Sequence, residues 1–204
     1  VIIKKIKILL LFFLFFMGSS DSFSQKKQEP VNRILFIFDA SQSMLGRWQS
    51  GRKIDIAKKL LYNMLDSLKT MDNLEVGLRV YGHQKNYPPQ DCNDTRLEVD
   101  FGRSHDVTER MKAKLRMIRA RGTTPIAISL EQATFDFPKG DNSRNIIILI
   151  TDGIEECNMD PCSVSRLLQK KGIILKPFVI GIGLDETYKK TFDCVGTYYD
   201  ASKE

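Results

Sequence analysis

Five apolar residues, Ile34-Leu35-Phe36-Ile37-Phe38, run straight into Asp39-Ala40-Ser41-Gln42-Ser43. The second half of this stretch offers one carboxylate and two hydroxyls at alternate positions, with no His or Cys among them. An all-oxygen donor set of this kind suits a hard cation such as Mg²⁺, whereas zinc draws on His and Cys. The same residue types have an ordinary role as well, because Asp and Ser after a strand cap helices and close Asx turns. Further oxygen donors at other strand ends would decide for the cation. Two stretches supply them: Gly122 is followed by Thr123-Thr124-Pro125, and the apolar run Ile146 to Ile150 ends in Thr151-Asp152-Gly153.

These donors act together only if the elements that carry them converge. An unbroken apolar run with Phe and β-branched Ile is the pattern of a strand covered on both faces, and such strands belong to parallel sheets flanked by helices. Ligands of open α/β sheets gather outside the carboxyl ends of the strands, where Asp39 and Asp152 would both lie. Between them, Ile54, Ala57, Leu61, Leu65 and Leu68 recur at helical spacing, and residues 74–81 alternate as a strand with one more polar face. Leu45 to Lys53 reads as a loop, and so does Gly82 to Thr95. Leu97, Val99 and Phe101 mark a short antiparallel edge strand, since no helix separates them from the preceding strand. A helix from Val107 closes at Gly122, and Pro125 opens the next one through Phe137. A helix from Asp160-Pro161 to Lys171, a buried strand at residues 178–183, a helix over 186–195 and a last strand at 197–200 complete the alternation. The expectation is a three-layer α/β/α sandwich around a doubly wound, mostly parallel sheet with one antiparallel edge strand.

The chain has 204 residues, 42% of them hydrophobic, enough for one domain with a substantial core. Its formal charge of +6 is concentrated near the start, where Lys4, Lys5, Lys7, Lys26 and Lys27 lie, so the remainder is close to neutral. No basic face interleaved with aromatics is visible, which argues against nucleic acid as a partner. Three lysines followed by the apolar run Ile8 to Met17 and small residues form a secretory signal pattern over residues 1–24, the apolar run falling short of the roughly 20 residues needed to span a membrane. Only an uncleaved signal segment would attach the chain to a membrane. Residues 25–32 read as a linker and 33–204 as the folded domain, periplasmic, cell-surface or secreted and monomeric. Export allows the four cysteines Cys92, Cys157, Cys162 and Cys194 to pair. Three connectivities are open, and the short separation favours Cys157 with Cys162. His83 and His105 read as surface residues, and without a Cys-x-x-Cys pair they do not make a zinc site.

Taken in order, Asp-x-Ser-x-Ser, Gly-x-Thr-Pro and an apolar strand ending Thr-Asp-Gly resemble the metal-ion-dependent adhesion site of the von Willebrand factor type A domain. The likeness covers about residues 31–201, and Gly51-Arg52 with Glu155-Glu156-Cys157 through Pro161-Cys162 resembles its exported bacterial branch. Gln42 departs from the Gly often found at that position. The resemblance implies that Ser41 and Ser43 bind the ion through their hydroxyls, that Asp39 and Asp152 act through water, and that Thr124 binds directly or through water. Thr123 is the alternative to Thr124, whose other role is to cap the following helix. Mg²⁺ is the expected ion, with Mn²⁺ or Ca²⁺ as alternatives, and an acidic side chain of a protein or peptide partner would complete its shell. Trp48, Glu155 and Glu156 would stand at the ligand rim, against local packing for Trp48 and plain solvation for the glutamates. No catalysis is implied. The alternatives are a metal-free scaffold in an envelope assembly, and a metal-dependent hydrolase.

Overall fold

The computed structural model describes residues 29–49, 51–140, 142–170, 178–182 and 192–201. The signal segment expected over 1–24 and most of the helix expected over 186–195 lie outside the described residues. The elements in order are β1 (Val31–Asp39), a 3₁₀ turn (Gln42–Leu45), β2 (Arg47–Trp48), β3 (Gly51–Arg52), α1 (Lys53–Leu68), β4 (Leu74–Tyr81) and β5 (Thr95–Arg103). Then follow α2 (Ser104–Met117), α3 (Ile126–Asp136), β6 (Ser143–Thr151), α4 (Pro161–Lys170), β7 (Phe178–Gly181) and β8 (Thr197–Asp200).

Six strands form one sheet in the order β5-β4-β1-β6-β7-β8. β1 lies at its centre, parallel to β4 from Asn32↔Leu74 to Asp39↔Tyr81 and parallel to β6 from Val31↔Ser143 to Phe38↔Ile150. β6, β7 and β8 continue in parallel, and β5 closes the other edge antiparallel to β4. Side chains of a strand alternate between faces, and β1 divides its apolar residues accordingly. Ile34, Phe36 and Phe38 pack with Ile54, Ala57, Leu61 and Leu65 of α1 and with Val107, Met111 and Leu115 of α2. Leu35 and Ile37 face the other way, toward Ile126, Leu130 and Ala133 of α3 and Val164 and Leu168 of α4. Each of the buried Ile, Leu and Phe side chains of β1 contributes about 1.5–3 kcal/mol by leaving water, so the strand that carries Asp39 is firmly anchored on both faces. The three-layer sandwich expected from the sequence is the fold observed.

Several local expectations differ from the structure. β1 starts at Val31, inside the stretch read as a linker. The loop after Ser43 contains a small antiparallel hairpin of β2 and β3. The polar face of β4 is not solvated. Arg79 is buried and forms a two-pronged pair with Asp136 at the end of α3, Nε to Oδ2 at 2.6 Å and Nη2 to Oδ1 at 2.7 Å. α2 ends at Met117, earlier than Gly122 suggested, and the backbone from Ile118 runs extended to the crest.

Candidate functional site

The crest is assembled by backbone before any side chain is considered. Ala40 N–H donates to Tyr81 O at 2.9 Å, Arg121 N–H donates to Ala40 O at 3.0 Å, and Gln42 N–H donates to Gly122 O at 2.8 Å. These bonds draw the Thr123-Thr124 loop alongside the Asp-x-Ser-x-Ser turn, with Ser41 and Gly122 bridged in parallel. Two glycines make the approach possible. Gly82 has φ +67°, and a Cβ there would lie 2.6 Å from Thr123 O and 2.7 Å from Ser41 N. At Gly122 a Cβ would lie 2.8 Å from Asp94 Oδ2 and 2.9 Å from Gly82 Cα, so neither position has room for a side chain.

The expected oxygens then meet. Ser41 Oγ and Ser43 Oγ lie 2.9 Å apart, and Ser43 Oγ donates to Asp152 Oδ1 at 2.7 Å. Asp39, fully buried, sits one layer lower: its Oδ1 accepts from Ser41 N–H and its Oδ2 from Thr151 Oγ1, both at 2.7 Å. Tyr81 in turn donates its hydroxyl to Thr151 Oγ1 at 3.1 Å, so a buried chain of hydroxyls fixes Asp39 from below. Burial raises the Asp39 pKa from 3.8 to about 6, the negative charge of Asp152 adds to the rise, and the Ser41 and Thr151 hydrogen bonds work against it. Thr124 is 1% exposed. A Cβ on Gly153 would lie 3.6 Å from Ser43 Oγ and 3.8 Å from Thr124 Oγ1, so both hydroxyls border that glycine. Thr123 is otherwise engaged, since its Oγ1 accepts from Asp91 N–H at 3.0 Å.

This donor set fits a hard divalent ion. Among the described residues no three His, Cys, Asp or Glu side chains gather as a metal cradle, and the crest instead pairs two carboxylates with hydroxyls. Above it a cleft of about 210 Å³ is lined by Gln42, Ser43, Tyr87, Gly122 and Glu156.

The proposed rim residues have other duties. Glu155 caps α3 from across the crest, with Ala127 N–H donating to its Oε2 at 2.6 Å, and Glu156 holds the preceding loop, with Thr124 N–H donating to its Oε2 at 2.9 Å. Their charge lies where the helix N-terminus favours an anion, and only Glu156 also borders the cleft. Burial raises the Glu155 pKa against the pull of backbone N–H donors from Ala127, Cys157 and Ile126. Trp48 is half-buried in β2 and packs against the core on the α1–α2 face of the sheet. His83 is buried, its Nε2 2.7 Å from Glu98 Oε1, whereas His105 is exposed as expected.

The pairing of Cys157 with Cys162 is overturned. The disulfides are Cys92–Cys157 and Cys162–Cys194. Cys157 belongs to the loop that caps α3 and meets the 82–95 loop there, while Cys162 has already entered α4 and joins the segment leading to β8. Sequence proximity is a poor guide when a helix begins between the two positions. Sequence reasoning also missed Lys53, the first residue of α1, whose Nζ lies 2.8 Å from Asp152 Oδ2. No local signal could have found it, because the partners are far apart in the chain.

The model of the von Willebrand factor type A domain matches residues 34–192. The uncharacterized protein YwmD of Bacillus subtilis (strain 168) is 32% identical over 172 residues, 82% of this chain and 75% of that protein. Among solved structures, BatB from Bacteroides thetaiotaomicron is similar with a TM-score of 0.64 at 19% identity, over 84% of this chain and 91% of that one. The pilus adhesin SpaC from Lactobacillus rhamnosus GG has a TM-score of 0.70 at 15% identity, over 88% of this chain but 29% of that one. With the sheet order, the crest and the family match in agreement, the chain belongs to the von Willebrand factor type A domain family.

Proposed function

We propose that the crest is a metal-ion-dependent adhesion site and that the protein is an exported interaction module without catalysis. The observation that supports this most is the continuous line of oxygens from Ser41 through Ser43 to Asp152, laid over a buried Asp39. Ser41, Ser43 and Thr124 would hold the ion through hydroxyls, and Asp39 and Asp152 through water or by orienting the hydroxyls. When bound, Mg²⁺, or Mn²⁺ or Ca²⁺ in its place, supplies an open coordination position for an anion. The chain's residues keep that position shaped: Thr151 and Tyr81 lock Asp39, and Glu155 and Glu156 fix the Thr124 loop. The partner is a protein or peptide that offers an acidic side chain into the cleft beside Ser43. The two disulfides agree with an oxidising compartment outside the cytoplasm, periplasmic, cell-surface or secreted.

Isothermal titration with Mg²⁺ and Mn²⁺ tests this reading. Saturable binding by the chain, lost in Asp39→Ala and in Ser41→Ala/Ser43→Ala, is the expected result. Partner capture that persists in Asp39→Ala and in chelator would instead assign the metal-free scaffold role, for which Lys53 beside Asp152 is the observation in favour.

A further inference from the structure

Asp152 has a second partner that the metal-site reading does not use. Its Oδ1 accepts from Ser43, and its Oδ2 lies 2.8 Å from Lys53 Nζ. The Asp152 side chain is fully enclosed and that of Lys53 is 19% exposed, so solvent screens this pair little. Lys53 is held at both ends. Its backbone N–H donates to Gly46 O at 2.9 Å, and Gly46 N–H donates to Ser43 O at 2.9 Å. Its aliphatic stem passes Gly46, where a Cβ would lie 3.8 Å from Lys53 Cε and 4.0 Å from Cδ. The ammonium is therefore aimed at Asp152 from the turn that carries Ser43.

We propose that Lys53 is a resident counter-ion of the crest, a tethered cation that steadies Asp152 in the absence of a divalent ion and sets the site's net charge in its presence. The inference rests on the metal-site reading above. Asp39 and Asp152 against one ammonium leave a single negative charge. A divalent ion then makes the site net positive rather than neutral. The chain gives up part of its hold on the ion and gains attraction for an anionic side chain. Lys53 is thus a positioning and specificity residue, and its ammonium offsets part of the charge of two enclosed carboxylates.

The test compares the full chain with Lys53→Met and Lys53→Arg by Mg²⁺ titration calorimetry, and by thermal unfolding in chelator and in Mg²⁺. Even at a water-like dielectric, a unit charge a few ångströms from a divalent ion changes affinity about tenfold. Lys53→Met is expected to bind Mg²⁺ about tenfold tighter, to melt lower in chelator and to gain more from Mg²⁺ than the parent does. Lys53→Arg should keep the parent's affinity. Should Lys53→Met fail to fold, Lys53→Gln carries the same comparison with a neutral donor. Mg²⁺ binding that is unchanged or weaker in the folded neutral variant overturns this inference alone. Absence of Mg²⁺ binding in both parent and neutral variant overturns the metal-site reading and this inference with it.

Discussion

Two regions of the same sheet bury carboxylates, and they are compensated in opposite ways. On the flank of β4 and β5, Asp136 holds Arg79 in a two-pronged pair, and Glu98 receives Lys114 at 2.9 Å, His83 at 2.7 Å and Arg96 Nε at 2.6 Å. Burial alone would raise the Glu98 pKa, but the hydrogen bonds from Lys114, His83 and Arg96 hold it at about 2. At the crest, Asp39 and Asp152 have one ammonium between them, and burial with their mutual repulsion lifts Asp39 to about 6. The flank uses charge to hold the fold together. The crest leaves charge uncompensated, which is what the proposed cation site would require.

The largest effect that would sharpen this contrast is on the flank. Arg79→Met strands Asp136 without a cation and should cost about 3–5 kcal/mol in denaturant unfolding, with Mg²⁺ affinity unchanged among the molecules that remain folded. The double variant Arg79→Met/Asp136→Leu should recover most of that loss. A large shift in Mg²⁺ affinity would dissolve the distinction between the two regions.

Smaller in stability but opposite in function is Gly122→Ala. Its Cβ would press on Asp94 Oδ2 and Gly82 at 2.8–2.9 Å, costing about 1–3 kcal/mol by overpacking. Because Thr124 follows two residues later, Mg²⁺ affinity should fall as well. Calorimetry and denaturant titration on the same sample read both quantities, and a stability loss with affinity intact would detach the Thr124 loop from the site.

The gentlest probe is pH, applied in chelator. Asp39 binds its proton more tightly in the folded state than in the unfolded one, so its contribution to stability is full below about pH 4 and is lost as pH rises through about 6. Glu98 has the reverse sign: its contribution is full above about pH 4.5 and is lost as pH falls toward 2. Melting temperature against pH should therefore lose its decline between pH 4 and 6 in Asp39→Asn, and its rise between pH 2 and 4.5 in Glu98→Gln. An Asp39→Asn curve that keeps the parent's slope would show that the crest is no less compensated than the flank.

What could be read in advance depended on how local the physics was. The apolar runs of β1 and β6 had to be central parallel strands, and their terminal Asp39 and Asp152 had to share an edge. The Ser41 and Ser43 positions followed from the same strand, and all of these lie where that reasoning put them. The features that escaped are long-range pairings. Arg79 looked like a solvated strand residue because Asp136 lies 57 residues further on, at the end of α3. The capping bond of Glu155 escaped because the α3 N-terminus belongs to another loop. Lys53, His83 and both disulfides failed for the same reason: alternation and helical spacing describe an element's faces, not which distant loop will meet them.

The register of β1 bears on what the molecule can withstand. The strand enters at Val31 at one pole and ends at Asp39 at the other, bonded along its length to parallel neighbours on both sides. Tension applied between Val31 and the crest runs along the strand axis, so both ladders are loaded in shear and yield together instead of peeling one rung at a time. Forced unfolding depends on the barrier out of the native state, and shear loading keeps that barrier high. A load between Val31 and the crest therefore meets the sheet along its mechanically stiff direction.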